Sequence, residues 1–167
     1  EEYGGLGFAT AGAGILCEQS GRMLAASPLF ATAILGVTLL RDAGSAAQKN
    51  ELLPAIAAGR LLCALAVDES ARHDPAAIAL LARADGDAFH LSGEKILVLD
   101  GHVADTFIVA ARSRGTPGET AGISLFLVPA GSAGLAIERT VMVDSRNAAI
   151  VRFDHARGEL LGELHQG

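Results

Sequence analysis

The sequence predicts an α+β protein in which N-terminal α-helices are followed by an antiparallel β-barrel or sandwich of about eight short strands. Capped helical patterns fill residues 1–60, and after Gly59 the apolar runs shorten and become rich in β-branched and aliphatic residues. Turn residues then arrive at intervals, as an antiparallel β unit requires. The chain has 167 residues, half of them hydrophobic and 19% charged, with a mean hydropathy of +0.37. A chain this apolar buries enough surface to offset its ordering entropy, which excludes disorder.

The helices come first. From Phe8 to Ala26 the positions Ile15, Leu16, Met23 and Leu24 share a face, with Glu18, Gln19 and Arg22 off it. That apolar face, with Cys17, is expected in the core. Ser27-Pro28 reads as an N-cap and first helical residue of a helix from Leu29 to Ala43, stopped at Gly44. Its Leu29 to Leu40 stretch is apolar enough to predict packing between neighbours. Ser45-Ala46-Ala47-Gln48 has capping-box spacing for a third helix that opens or kinks at Pro54 and stops at Gly59.

Candidate strands are Leu61 to Val67, Ile78 to Ala84, Ala88 to Leu91, Lys95 to Leu99, Thr106 to Arg112, Gly122 to Val128, Leu135 to Arg139 and Ala148 to Asp154. Asp85-Gly86-Asp87 and Ser92-Gly93-Glu94 are turn signals, so two tight hairpins are expected to share the strand between them. Arg114 to Ala121 should be an exposed loop.

Charge and composition narrow the function. The net charge of −6 and the lack of a basic run give a nucleic-acid role no electrostatic footing. The longest apolar stretch falls short of the ~20 residues a membrane-crossing helix needs. Cys17 and Cys63 lie in apolar segments without metal spacing, so buried free thiols in a reducing, cytoplasmic setting are expected. No phosphate loop, dinucleotide fingerprint, zinc signature or nucleophile elbow is present, and none of His73, His90, His102, His155 and His165 has a second ligand at metal spacing. The densest polar cluster of the β half is Asp68-Glu69-Ser70-Ala71-Arg72-His73-Asp74, at the end of an apolar strand. It fits a loop of compensating charges and a ligand-facing strand end equally well.

The order of several segments resembles the acyl-CoA dehydrogenase family. Glu1-Glu2-Tyr3-Gly4-Gly5-Leu6-Gly7 is similar to that family's PEEYGGLG segment. Ala46-Ala47-Gln48-Lys49 with Leu52-Leu53-Pro54 and Ala58-Gly59 is similar to its QK–LLP helix. Asp85-Gly86-Asp87, Leu91-Ser92-Gly93-Glu94-Lys95 and Ala104-Asp105-Thr106-Phe107-Ile108-Val109-Ala110-Ala111-Arg112 follow its central stretch. Gly122 to Val128, Val151-Arg152-Phe153-Asp154 and Leu160-Leu161-Gly162 keep its order to the end.

The resemblance implies that residues 1–60 are the C-terminal part of an N-terminal helical domain and residues 61–167 a middle β-domain that faces a flavin. The family's C-terminal four-helix domain, source of its catalytic glutamate, is expected to lie outside this chain, so no catalytic residue is assigned. It also implies FAD as cofactor, an acyl-CoA substrate, an electron-transfer flavoprotein as acceptor, and a homo- or hetero-oligomer.

The cofactor-facing positions implied are Leu65, Ala66, Val67, Asp68 and Glu69 on one strand end and Leu97, Val98 and Leu99 on another. Asp68 stands where the family has a hydroxyl donor, and an ionised carboxylate only accepts. Leu97 and Leu99 replace the family's Trp and Thr. Glu-x-x-Arg-x-Asp from Glu69 to Asp74, with Asp100-Gly101 beyond the second strand, is similar to a divergent branch in which bulky or dicarboxylic acyl-CoAs, or steroid side chains, are handled by paired unlike subunits. The expected activity is α,β-dehydrogenation of an acyl-CoA thioester with hydride transfer to FAD. The alternative is a catalytically silent partner subunit of a mixed assembly, and an oxidase or monooxygenase on the same fold is a third reading.

Overall fold

A computed structural model of the chain describes residues 2–86, 88–144, 146–165 and 167; Glu1 of the opening motif and Asp87 of the first turn signal lie outside the described residues. Three α-helices, α1 (Ala9–Arg22), α2 (Val37–Ala43) and α3 (Ala46–Ala57), precede seven strands. These are β1 (Cys63–Ala66), β2 (Leu81–Asp85), β3 (Ala88–Leu99), β4 (Thr106–Arg112), β5 (Ile123–Pro129), β6 (Leu135–Val141) and β7 (Asn147–Leu161).

The helix signals behave as their chemistry dictates, with two exceptions. Ser45 and Gln48 form the full capping box, at 3.2 Å from Gln48 N–H to Ser45 Oγ and 3.0 Å from Ser45 N–H to Gln48 Oε1. Gln48 Nε2 also donates to Glu159 Oε1 and to the Leu160 carbonyl, tying α3 to β7. Helix α3 runs through Pro54 and ends where Gly59 takes φ +68. The first exception is a π-helical segment, Phe30–Gly36, that leads into α2. Thr32 on this segment brackets β1, donating to the Cys63 carbonyl at 3.0 Å and accepting from its N–H at 3.1 Å. Gly36 packs against the same residue, since a Cβ there would lie 2.9 Å from Cys63 Cβ. The wide turns belong to this tertiary contact, which no local pattern announces. Phe30 is 38% exposed, so the segment lies on the sheet rather than between neighbours on all sides.

The second exception is α1. Met23 is 80% exposed and Ile15 62%, and Cys17 is half-buried, so the face expected in the core is largely exposed. Helix α1 ends in the left-handed turn at Leu24, φ +48.

The strands form one mixed sheet rather than a clean antiparallel barrel. The order is β1-β4-β2-β3-β7-β5, with β6 on β7 and β5 also on β4. β1 runs parallel to β4, and a single parallel bridge, Leu81 to Arg112, joins β2 to β4. Two expected strands are one: β3 continues through Ser92-Gly93-Glu94, which is a bulge and not a second hairpin turn. The glycine signal is common to both devices, because Gly93 takes φ +142 where its missing side chain also admits Leu80. β7 runs seven residues past its expected end at Asp154, the backbone absorbing a left-handed residue at His155.

Two apolar cores flank the sheet. One joins Leu91, Val98, Phe107, Val109, Phe126 and Phe153, with Phe89 and Phe126 rings 5.0 Å apart. The other joins Ile108, Ala110, Leu125 and Leu127 to Leu40 and Leu53 of α2 and α3. β4 alternates between them and is buried along its whole length.

Two buried cations fasten the loops. Lys95 is fully buried, its Nζ donating to Glu69 Oε1 at 2.7 Å and to the Val67 carbonyl at 2.8 Å. Burial lowers the Lys95 pKa and the Glu69 charge opposes that shift. Arg112, 2% exposed, donates among the described residues only to main-chain carbonyls, those of Ile78, Ala76, Ala121 and Glu119 at 2.7 to 3.1 Å, with Arg114 at 3.5 Å. The exposed loop expected over Arg114 to Ala121 is present and hangs from this side chain.

These fastenings have unequal consequences. Glu69→Leu strands a buried ammonium and should lower the unfolding free energy by about 3 kcal/mol. Lys95→Met leaves Glu69 with two N–H donors and partial exposure, and should cost about 1 kcal/mol. Arg112→Met removes the donors of several buried carbonyls and should cost about 3 kcal/mol or more. Urea midpoints at unchanged slope check all three, and a Lys95→Met loss equal to that of Glu69→Leu would contradict the asymmetry.

Candidate functional site

The site grows from the open end of β1. β1 pairs only with β4, so no strand of the described residues covers its other edge. The chain leaves β1 at Val67, and Asp68 turns toward β3, its carbonyl accepting from Ile96 N–H at 2.8 Å. That one hydrogen bond brings the two sequence-predicted segments, 65–69 and 97–99, side by side.

Glu69 sets the path of the loop that follows. Its carboxylate accepts from Lys95 Nζ and from the N–H groups of Ala79 and Leu80, at 2.8 and 2.9 Å, so it links β3 to the entry of β2. The Glu69 side chain is thus fully engaged in structural contacts.

Asp68 is also engaged. His73 Nδ1 lies 2.7 Å from its Oδ1, which fixes the imidazole with Nδ1–H donating and Nε2 turned to the outside of the pair. An acceptor already holding a donor offers none of its own, so the Asp68 side chain presents no donor toward the strip. Leu65 and Val67 are half-buried and Ala66 is buried, leaving the backbone as the polar surface of this strand end.

The second segment carries a bulge. The β3–β7 register shifts between Lys95 and Val98, and Leu97 takes φ +53 with 38% of its surface exposed. Val98 is buried in the sheet core, and Leu99 is half-buried. A bulge re-aims side chains and interrupts pairing, and such bulges recur beside binding sites. The free edge of β1 and the bulge of β3 together give a backbone-lined, apolar strip suited to a flat ring system. The side chains of Leu65, Ala66, Val67, Leu97, Val98 and Leu99 supply no hydrogen-bond donor, so a ligand at this strip would meet main-chain groups.

Sequence reasoning missed the Asp68–His73 and Glu69–Lys95 pairs. Local spacing put Asp68 and His73 in one cluster, but only the fold shows which of its charges meet. Of the five histidines, His90 lies 3.4 Å from Asp85, and His165 Nδ1 lies 3.0 Å from Ser113 Oγ, itself 2.7 Å from Ser124 Oγ. This last chain of contacts pins the C-terminal end to β5, together with Gly167 N–H on the Ile123 carbonyl. No helix of the described residues is long and apolar enough to cross a membrane.

Comparison with known proteins agrees with this architecture. Residues 63–155 match the acyl-CoA dehydrogenase middle domain and residues 1–60 the acyl-CoA dehydrogenase N-terminal domain. A probable acyl-CoA dehydrogenase, FadE10, of Mycobacterium tuberculosis is 40% identical over 102 residues, which is 60% of this chain and 16% of that protein. A solved structure described as the Tcur3481-Tcur3483 steroid ACAD G363A variant superposes with a TM-score of 0.83 at 32% identity, over 96% of this chain and 42% of that one. The ChsE4-ChsE5 complex of Mycobacterium tuberculosis shares the fold, with a TM-score of 0.86 at 24% identity over 99% of this chain and 44% of that one. The chain thus spans less than half the length of the relatives it matches. With its helices, its mixed sheet and the order of its segments all in agreement, the chain belongs to the acyl-CoA dehydrogenase family.

Proposed function

We propose that the chain is part of an acyl-CoA dehydrogenase-like flavoprotein subunit, with residues 1–60 the end of its helical domain and residues 61–167 its flavin-facing middle domain. The observation that carries this reading is the juxtaposition of the β1 end and the β3 bulge through the Asp68 carbonyl and Ile96 N–H, in a chain that matches both family domains. Bound FAD would supply the hydride acceptor for α,β-dehydrogenation of an acyl-CoA thioester. The chain's own part is binding and orientation: backbone groups of Leu65, Ala66, Val67 and Asp68 line one side of the ring, and Leu97, Val98 and Leu99 the other. Glu69 acts behind them, by holding the loop. An electron-transfer flavoprotein as acceptor and a cytoplasmic setting accord with this reading.

A second reading is favoured by one specific observation. Asp68, occupied by His73, and the apolar Leu97 and Leu99 leave the flavin edge without side-chain donors. That suits a subunit that keeps the fold for assembly while an unlike partner carries the cofactor. The related solved structures named for two chains, Tcur3481-Tcur3483 and ChsE4-ChsE5, are consistent with such pairing.

The visible spectrum of the full-length protein, purified alone and then with any paired subunit, separates the two. Flavin in the lone protein, bleached anaerobically by a member of an acyl-CoA panel, is the expected result for the first reading. A colourless protein that gains flavin only with its partner establishes the second. No bleaching by any acyl-CoA in either preparation overturns dehydrogenation. In the lone, flavin-loaded protein, Asp68→Thr restores a hydroxyl donor and should tighten flavin retention about tenfold, measured by dialysis against free FAD.

A further inference from the structure

The sheet face under α3 is not filled to its end. Thr106 of β4 stands opposite Pro129 of β5, and Leu127 of β5 opposite Glu159 of β7, all on the face that the helix covers. Above them, Gln48, Glu51 and Leu52 share one side of α3 at spacings of three and four. Between helix and sheet lies a cavity of about 520 Å³, within the size range of small-molecule sites. It sits at the start of β1, where Cys63 pairs with Thr106, whereas the strip lies past its other end. The four residues from Cys63 to Val67 put the two about 13 Å apart.

Several polar groups meet in this cavity without partners. Thr106 is only 8% exposed, it lines the cavity, and its hydroxyl makes no hydrogen bond with any described residue. A hydroxyl so placed needs an account. Glu159 gives Oε1 to Gln48 Nε2 at 2.6 Å and keeps its second oxygen. Gln48 has nothing further to offer, since its amide also serves the Leu160 carbonyl and the Ser45 N–H. Glu51 and Arg157 line the same cavity, and neither side chain has a hydrogen-bond or ion-pair partner among the described residues.

The charges are kept apart by the fold. Arg157 and Glu159 alternate on one face of β7, with about 7 Å between their backbone positions. They would be a natural pair, but Gln48 draws the Glu159 carboxylate toward α3, and no ion pair forms. Two carboxylates therefore stand on the helix side and a guanidinium on the other. Leu52, Leu61 and Leu127 supply an apolar floor.

We propose that this cavity binds a small zwitterion, an α-amino acid with an aliphatic side chain. The selection follows from the lining. A simple anion meets Glu51 and Glu159, and a simple cation meets Arg157. An α-amino acid carries both charges on adjacent carbons, so its ammonium is answered by the carboxylates and its carboxylate by the fork of Arg157. The Thr106 hydroxyl both donates and accepts, and completes the shell of either group. The aliphatic side chain covers the leucines of the floor. None of this uses acyl-CoA chemistry, and the site leaves the strip free.

The full-length protein, with its partner where one is needed, is titrated calorimetrically with three probes of one carbon skeleton: leucine, isoamylamine, which lacks the carboxylate, and isocaproate, which lacks the ammonium. Leucine should bind about tenfold tighter than either. Glycine keeps both charges without the side chain and should bind about tenfold more weakly than leucine. Thr106→Val, of similar shape, should weaken leucine about fivefold.

Two further variants give a crossed pattern. Arg157→Gln should bring leucine down to the level of isoamylamine without weakening isoamylamine. Glu159→Gln, whose side-chain carbonyl still accepts from Gln48, should bring leucine down toward isocaproate without weakening isocaproate. A folding defect would instead weaken every probe alike, so the pattern reports contact with the ligand. Leucine and isoamylamine binding alike, no binding of leucine up to about 10 mM, or leucine affinity that survives both substitutions overturns the proposal. Bleaching of the flavin by acyl-CoA tests the family reading separately and is untouched by each of these outcomes.

Discussion

The carboxylate of Glu69 is the point on which the strip between β1 and β3 depends. It receives an ammonium from β3 and two main-chain N–H groups from the approach to β2, so three separate segments meet at one side chain. The Lys95 ammonium has no access to solvent, and taking it out of water is costly unless its donors are answered. Glu69 and the Val67 carbonyl answer two of them. An apolar pair in this position could match the stability, but it would not dictate where the strand end turns. The ion pair fixes the path of residues 67–80, and with it the Asp68 carbonyl that meets Ile96.

Around that anchor the sheet is built to present one end. β4, buried on both faces, carries the two cores, and β3 and β7 run long enough to need bulges where they curve. Those bulges fall at Ser92–Gly93 and at Leu97, so the strand that supports the sheet also breaks its own pairing beside the free edge of β1. The Phe30–Gly36 segment closes the other flank through Thr32, which occupies both main-chain groups of Cys63 and leaves the edge beyond it uncovered.

Much of this was legible in the residues, for reasons that are local. The Ser45–Gln48 capping box, the stop at Gly59 and the strand Thr106–Arg112 each follow from chemistry within a few positions. What could not be read was tertiary. The π-helical turns serve a contact with Cys63, far along the chain, and Ser92-Gly93-Glu94 has the composition of a turn because bulges and turns use the same glycine conformation. Helix α1 has an amphipathic face in sequence that the described residues do not cover. At the site, position came from family order, whereas the partners of Asp68 and Glu69 came only from folding. Asp100-Gly101 was visible as a pair beyond the second strand, but the burial of Asp100 beside Arg146 is a property of three-dimensional space.

Arg112 carries a different consequence. Its guanidinium reads main-chain carbonyls of Ala76, Ile78, Glu119 and Ala121 and, among the described residues, no carboxylate. Carbonyl oxygens are supplied by every residue type, so the clamp is indifferent to which side chains occupy the loop it holds. Exchange of the exposed side chains between Arg114 and Ala121 leaves the anchor untouched, provided the backbone keeps its course at Gly115 and Gly118, both in the left-handed region. The fold thereby separates the security of a surface loop from its composition, and gives the chain a place where sequence can drift while the sheet beneath it stays as it is.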